Sequence, residues 1–325
     1  MRVVIIGGSG HIGSYLTPRL VEGGHSVLCV TRGQMKPYVS HAAWTRVESV
    51  ALDRIAEETA GTFGARIRHL EPDCVIDLTA YTLESTQQLV EALRGRVRQF
   101  LHCGTIWVHG PAVEVPLTED HTRRPISDYG VRKAEIEAYL LAEARHHRFP
   151  ATVLHPGHLV GRGWIPLNPA ANFDPSVFSD LAAGREIRLP NLGRETLHHV
   201  HADDVAQAFV QATIHWSVAV GESFHVVSPA AVSMAGYAGA VAEWFGQEAR
   251  IRFLPWEEWR STVSEKEAKI TWDHIARSPS CSIRKAERLL NYRPRYRSLE
   301  AVRESVAWLA ANGVIEAGLL KPAVG

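Results

Sequence analysis

Apolar and polar positions along the first half of the chain follow one repeated rhythm. Short apolar runs rich in Val and Ile predict strands at residues 3–6, 25–30, 47–52, 74–79 and 99–103. Between them, apolar residues recur at helical spacing and predict helices over 12–22, 55–70 and 83–93. A long helix over 129–145 and a buried strand over 151–154 complete the series. Strands alternating with helices make βαβ units, so the expected fold is α/β with a doubly wound parallel sheet.

From about residue 156 the rhythm breaks. Residues 162–172 are rich in Gly, Pro, Asn and Trp and read as loop, and the later elements are irregular: a strand at 224–227 and helices at 234–245, 283–290 and 299–311. Residues 319–325 read as a frayed tail. The expected organisation is a dinucleotide-binding domain over 1–155, its sheet completed by parts of about 197–230 and 276–312. A smaller substrate lobe is expected from about 156–196 and 231–275.

Composition narrows the function class. The 325 residues hold 46% hydrophobic and 22% charged residues, ample for a sizeable core. Lys plus Arg equals Asp plus Glu at 35 each, so the net charge gives no reason to expect nucleic acid or an acidic membrane as partner. Cys29, Cys74, Cys103 and Cys281 form no CxxC pair, and the first three lie in predicted strands, so reduced buried thiols are expected. The first apolar run is too short for a signal peptide and no 18-residue apolar run exists, which predicts a cytoplasmic protein with no membrane contact.

The strongest motif is Gly7-Gly8-Ser9-Gly10-His11-Ile12-Gly13, placed directly between the first strand and the first helix. Glycines there permit a tight turn and a close backbone approach to a pyrophosphate at the helix N-terminus. The acidic residue expected at the end of the second strand is replaced by Thr31, and Arg32 follows. A guanidinium at that place suits the 2′-phosphate of NADP, so NADP is expected over NAD. Asp53 and Arg54, just past the third strand, are candidates for the adenine end, and Thr79, Ala80 and His155 for the cofactor surface nearer the chemistry.

Tyr129 and Lys133 stand four apart on a helix and so share a face. A cation beside a phenol favours phenolate and would make Tyr129 a usable acid/base. Thr105, at the C-terminal end of the strand before, offers a hydroxyl to a substrate oxygen. These segments, with His102-Cys-Gly-Thr-Ile-Trp-Val-His-Gly110, Glu137, His201-Ala-Asp-Asp-Val205 and Asn291-Tyr-x-Pro294, resemble the extended short-chain dehydrogenase/reductase superfamily, in its NAD(P)-dependent epimerase/dehydratase family.

The resemblance covers nearly the whole chain and implies that Tyr129 is the acid/base, that Thr105 polarises the reacting oxygen, and that Lys133 tunes Tyr129 and binds the nicotinamide ribose. It also implies a homodimer built on the helices near 84–95 and 129–145, and a sugar-like small-molecule substrate. Tyr81, Trp107, His158, Trp164 and Arg194 are the candidates to contact that substrate.

Three departures bear on it. Ile106 and Trp107 stand where dehydratases of the family carry an Asp–Glu pair. His158 replaces a common Asn, and Leu197 a common Arg. Arg162, Arg194 or Arg277 would have to replace the lost diphosphate handles, so a substrate without a nucleotide is also compatible. A metal reading of His199, His201, Asp203 and Asp204 is less favoured than a structural one, with the acidic residues capping a helix. Trp256, Trp259 and Trp272 suit either sugar stacking or packing of the lobe.

Overall fold

The computed structural model describes residues 1–322; the last three positions of the predicted tail lie outside the described residues. The first half runs β1 (Arg2–Ile6), α1 (His11–Glu22), β2 (Ser26–Thr31), β3 (Glu48–Ala51), α2 (Arg54–Thr59), α3 (Phe63–Arg68), β4 (Cys74–Asp77), α4 (Leu83–Leu93), β5 (Gln99–Cys103), α5 (Asp128–His147) and β6 (Ala151–Pro156). The second half adds β7 (His158–Val160), α6 (Ser176–Ala182), β8 (Glu186–Pro190), β9 (Thr196–Leu197), β10 (His199–His201), α7 (Ala202–Ile214), α8 (Trp216–Ala219), β11 (Ser223–Val226), β12 (Val232–Ser233), α9 (Met234–Trp244), β13 (Arg250–Leu254), α10 (Trp256–Trp259), α11 (Glu265–Ile275), α12 (Arg284–Leu290) and α13 (Ser298–Ala311).

Seven parallel strands form the sheet in the order β11-β6-β5-β4-β1-β2-β3. The chain leaves β1 towards β2 and β3, then returns to β4 on the other side, so a crevice opens between β1 and β4 at the C-terminal strand ends, where such sheets take ligands. Two apolar cores face the two sides of the sheet. One joins Leu16, Leu20 and Val21 of α1 to Val205, Ala208 and Phe209 of α7; the other joins Val4 and Val75 to Phe63, Leu89 and Ile136. Each large aliphatic side chain so buried is worth ~1.5–3 kcal/mol. Arg19 fixes the α1–α7 register with two 2.7 Å hydrogen bonds to Asp203.

A third core belongs to the later segments. Phe178, Leu189, Tyr237, Val241, Trp259, Val302 and Val306 pack together, bordered by the two-stranded parallel pairs β8–β13 and β7–β10. None of these pairings is legible in the sequence, because each strand is only three to five residues long and its partner is distant. From 276–312 come the helices α12 and α13 and no strand of the main sheet; β11 is the strand that the later chain adds to it.

The helix expected over 55–70 is two helices. Gly61 at φ +68° turns the chain between them, and Asp53 caps the first by accepting the Ala56 N–H. The four cysteines are free and buried. Among the described residues, no helix is long and apolar enough to cross a membrane.

Candidate active site

The glycine loop connects β1 to α1 as its spacing predicts. Gly7 takes φ +90°, and a Cβ there would lie 2.5 Å from the Thr79 methyl carbon. At Gly13 a Cβ would lie 2.3 Å from the Gly8 carbonyl oxygen, so the helix can approach the loop only without one. Gly10 caps α1 with no side-chain bond, and no acidic residue stands in the first turn. The first N–H groups of α1 therefore keep their positive end for an anion.

Beside the loop lies a cleft of about 400 Å³, lined among others by Gly7, Ser9, Gly10, Thr31, Arg32, Met35, Asp53, Arg54, Thr79 and Tyr81. Eight of these were expected site residues. Arg32 is exposed, and Thr31 accepts the Gly33 N–H, which shapes the turn that presents it. These groups fit a dinucleotide: glycines and a bare helix end for the pyrophosphate, and a cleft with a largely apolar lining for an adenosine.

Arg54 requires a correction. It lines the cleft, but its guanidinium is bound to Asp77 (2.7 and 3.0 Å), Glu58 (2.6 Å), Ser85 and Thr79. Burial alone would raise the Asp77 carboxyl, and the guanidinium overrides it and holds the group below the ordinary carboxylate range. Arg54 thus braces the cleft wall, its donors spent. The sequence signal for its partner was an Asp closing the otherwise apolar strand Cys74–Asp77.

At the other end of the crevice, Ser127 caps α5 and the helix sets Tyr129, Lys133 and Glu137 on one face. Lys133 is 2% exposed. Its ammonium donates to the carbonyls of Ala80 and Cys103, both at 2.7 Å, and lies 5.2 Å from the Tyr81 ring centre. Ala80 therefore enters through its backbone. Two of the three ammonium protons are committed, leaving one. Burial lowers the Lys133 pKa.

Tyr129 is 39% exposed, and its ring stands 6.2 Å from Tyr81 and 5.9 Å from Trp107. The expected downward pull by Lys133 is not what governs it. Partial burial, with Cys103 and Tyr81 nearby, pushes the phenol above its ordinary value, and the neighbouring Thr105 hydroxyl pulls the other way without overcoming it.

Thr105 is buried at the end of β5; its N–H donates to His155 Nδ1 at 3.0 Å and its hydroxyl oxygen accepts the Trp107 N–H at 3.3 Å. His155 is fully buried behind Thr105, so it presents no surface to a cofactor, contrary to expectation.

Trp107 continues the wall. Its ring centre is 4.9 Å from that of His274 and 6.4 Å from that of His158, and the Arg277 guanidinium lies 4.0 Å over its face. Arg277 also donates to Ser127 Oγ at 2.7 Å, tying the later chain to the start of α5. His274 and Arg277 were not read as neighbours of Trp107, since they follow it by more than 160 positions. Burial holds His158 well below an ordinary imidazole and His274 at about 4, so both are neutral.

Trp164 lies elsewhere than expected: it stacks on His11, beside Tyr38, against the phosphate-loop helix. Arg194 is an exposed loop residue, and Leu197 is fully buried in the later core. His201, and not an acidic residue, caps α7 by accepting the Asp203 N–H, while Asp204 accepts the Arg295 and Tyr296 N–H groups. Trp256 stacks with Trp259, which is buried in the later core, and Trp272 is half exposed beside them.

The sequence profile described as the NAD dependent epimerase/dehydratase family matches residues 3–226. A 2′-dehydrokanamycin reductase of Streptomyces kanamyceticus is 26% identical over 65% of this chain, and the chain spans only 57% of that protein's length. A UDP-glucose 4-epimerase of Mycolicibacterium smegmatis is 26% identical over 65% of this chain and 73% of its own. Among solved structures, the UDP-glucose 4-epimerase of Thermotoga maritima, crystallised with UDP-glucose, superposes with a TM-score of 0.73 at 19% identity, over 96% of this chain and 99% of that one.

Proposed function

Because this chain belongs to the NAD-dependent epimerase/dehydratase family, we propose that it is an NAD(P)-dependent epimerase or oxidoreductase acting on a sugar-like hydroxyl or carbonyl, with Tyr129 as acid/base. What supports this reading is that Tyr129 and Lys133 both flank the Tyr81 ring, which also lines the cleft beside the glycine loop, while Thr105 holds Trp107, the other neighbour of Tyr129.

Gly7, Gly10, Ile12 and Gly13 would hold the pyrophosphate through backbone N–H groups, Asp53 and Thr31 would border the adenosine, and Arg32 would meet a 2′-phosphate, which makes NADP the preferred form over NAD. The nicotinamide supplies hydride exchange when bound. Thr105 accepts from Trp107, which leaves its hydroxyl proton to be donated to a substrate oxygen. Tyr129 takes or returns a proton at its phenol oxygen. Lys133 gives its remaining proton to a ribose hydroxyl while its other two hold β5 and the segment after β4 in register. Tyr81, Trp107 and His158 form an aromatic wall for a polyol ring.

With Leu197 buried, no cationic handle is offered there, which favours a substrate held without a nucleotide diphosphate. A reductase of a ketone or aldehyde that consumes NADPH is the second reading, favoured by Arg32. A non-catalytic dinucleotide-sensing or RNA-binding role is weakened by the intact trio and the zero net charge. The reading includes a cytoplasmic homodimer assembled through α4 and α5.

The test is direct. Purified protein is denatured, any released nucleotide is identified, and NAD, NADH, NADP and NADPH are added back in thermal-shift titrations. A panel of nucleotide sugars, free sugars and carbonyl compounds is then followed by chromatography and by reduced-nicotinamide absorbance. Isomerised product with retained cofactor means an epimerase, and net cofactor consumption means a reductase. If no nucleotide is bound or stabilising and nothing is converted, the proposal fails.

A further inference from the structure

Behind Thr105, on the side away from the cleft, lies a buried polar chain that the reaction scheme above does not use. His155, at the end of β6, is fully buried. Its Nδ1 accepts the Thr105 N–H at 3.0 Å, and a nitrogen that accepts carries no proton. Its proton is therefore on Nε2, which lies 3.0 Å from Glu137 Oε1, off the ideal line for a hydrogen bond. Glu137 is itself 2% exposed and is held by Arg123 through two hydrogen bonds of 2.6 and 2.9 Å. Burial would raise the Glu137 carboxyl, but the Arg123 guanidinium hydrogen-bonded to it acts to keep it below the ordinary range. Arg123 is anchored in turn on the Glu119 and His121 carbonyls.

A separate observation shows that the imidazole is built into this place. A Cβ on Gly104 would lie 2.4 Å from His155 Nδ1 and 2.7 Å from its Cε1. The residue immediately before Thr105 lacks a side chain, and the ring fills that space. Thr105 takes an extended backbone (φ −165°, ψ 149°), with its N–H held by His155 and its hydroxyl oxygen accepting the Trp107 N–H, so one residue is held at both its backbone and its side chain.

We propose that His155 is a positioning residue: through its Nδ1 it aims Thr105 at the reacting oxygen, and Glu137 with Arg123 fixes the imidazole in the tautomer that can do so. One face of α5 then serves the site twice. Tyr129 acts in front, and Glu137, two turns on, supports Thr105 from behind. An ordinary dispersive packing role would need neither the bare Nδ1 nor a carboxylate at 3.0 Å. The inference rests on the reading of Thr105 and Tyr129 as the reacting pair.

Two measurements separate its failure from the failure of that reading. The first needs no turnover. ¹⁵N-histidine spectra should show His155 with an unprotonated Nδ1, and Thr105 amide exchange should quicken at least about 10-fold in His155→Phe, as expected when a buried N–H loses its acceptor. The second is kinetic. His155→Phe should lower kcat by about 100-fold, the scale of a small misplacement of a reacting group, with KM and cofactor affinity nearly unchanged. His155→Asn, whose amide oxygen can take the place of Nδ1, should recover much of the loss. Gly104→Ala, which displaces the ring without altering it, should reproduce the His155→Phe defect. Unchanged Thr105 exchange, or Asn no better than Phe at equal thermal stability, overturns the positioning role. Altered exchange in a protein that converts no substrate leaves the positioning intact and overturns the reaction assigned to the site.

Discussion

The imidazole of His11 lies flat on the indole of Trp164, with ring centres 4.7 Å apart and planes 7° from parallel. His11 opens the phosphate-loop helix and Trp164 sits in the loop after β7, so this stack joins the cofactor loop to the start of the later segments. Burial, with His201 nearby, holds His11 near pKa 3, so the stack is between neutral rings. Trp164→Ala should lower stability by about 1–3 kcal/mol, combining aromatic contact with lost burial. It should also weaken dinucleotide binding several-fold in a titration, while a substitution at exposed Trp272 should leave binding unchanged.

Acid should unfold this protein early. His11, His102, His109, His198, His199, His225 and His274 are buried and His158 is partly so, and burial lowers each of them below an ordinary imidazole. The unfolded chain then binds more protons than the folded one as pH falls through the ordinary histidine range. Their contribution is fully present above about pH 6.5 and is lost below it, each imidazole costing up to about 1.4 kcal/mol per pH unit. Tm should fall steeply between pH 7 and pH 5, which calorimetry at several pH values would check; a flat profile would contradict the neutral, buried state of these rings.

Tyr129→Phe should reduce kcat by about 100- to 10,000-fold with cofactor affinity unchanged, as for loss of a general acid/base. In the cofactor-free protein the phenol is held above its ordinary value, so it is protonated at neutral pH. A tyrosinate difference spectrum, wild type minus Tyr129→Phe, should show no signal below about pH 10 without cofactor. Adding the oxidised, positively charged cofactor should move that signal to lower pH.

Asp77→Asn should cost about 3–5 kcal/mol at neutral pH, because it leaves the guanidinium of Arg54 buried with half its charge partners gone. The carboxyl is depressed in the folded state, so its contribution is present above about pH 4 and is lost as pH falls further. Denaturant titrations should therefore show the gap between wild type and variant narrowing in acid.

Arg32→Glu tests the cofactor preference. A charge-assisted bond to a 2′-phosphate is worth ~1.5–3 kcal/mol, so the NADP-to-NAD affinity ratio should drop by about 10- to 100-fold. Equal loss for both cofactors, or no loss, would remove Arg32 from the 2′-phosphate.

Arg54 and His155 show how far a sequence can be read. Both are expected site residues; Arg54 stands just after β3, and His155 lies within the end of β6. Their partners, Asp77 and Glu137, lie 23 and 18 positions away on other elements, and pairing with them turns each from a ligand contact into a support. Trp164 was placed in the correct loop but not against the correct surface, because no local pattern states which side of a crevice a loop will cover.

The sequence alone determined what depends on near neighbours along the chain. The strand–helix alternation set the doubly wound sheet, the glycine spacing set a turn without Cβ atoms, and four-residue intervals put Tyr129, Lys133 and Glu137 on one helix face. These follow from fixed backbone periods and local sterics. Tertiary structure decided everything that depends on which distant groups share a dry interior: that Lys133 holds two carbonyls, that Arg277 covers Trp107, and that His155 aims Thr105. In such an interior a polar group gains most from a partner, and only the folded chain determines which partner is within reach.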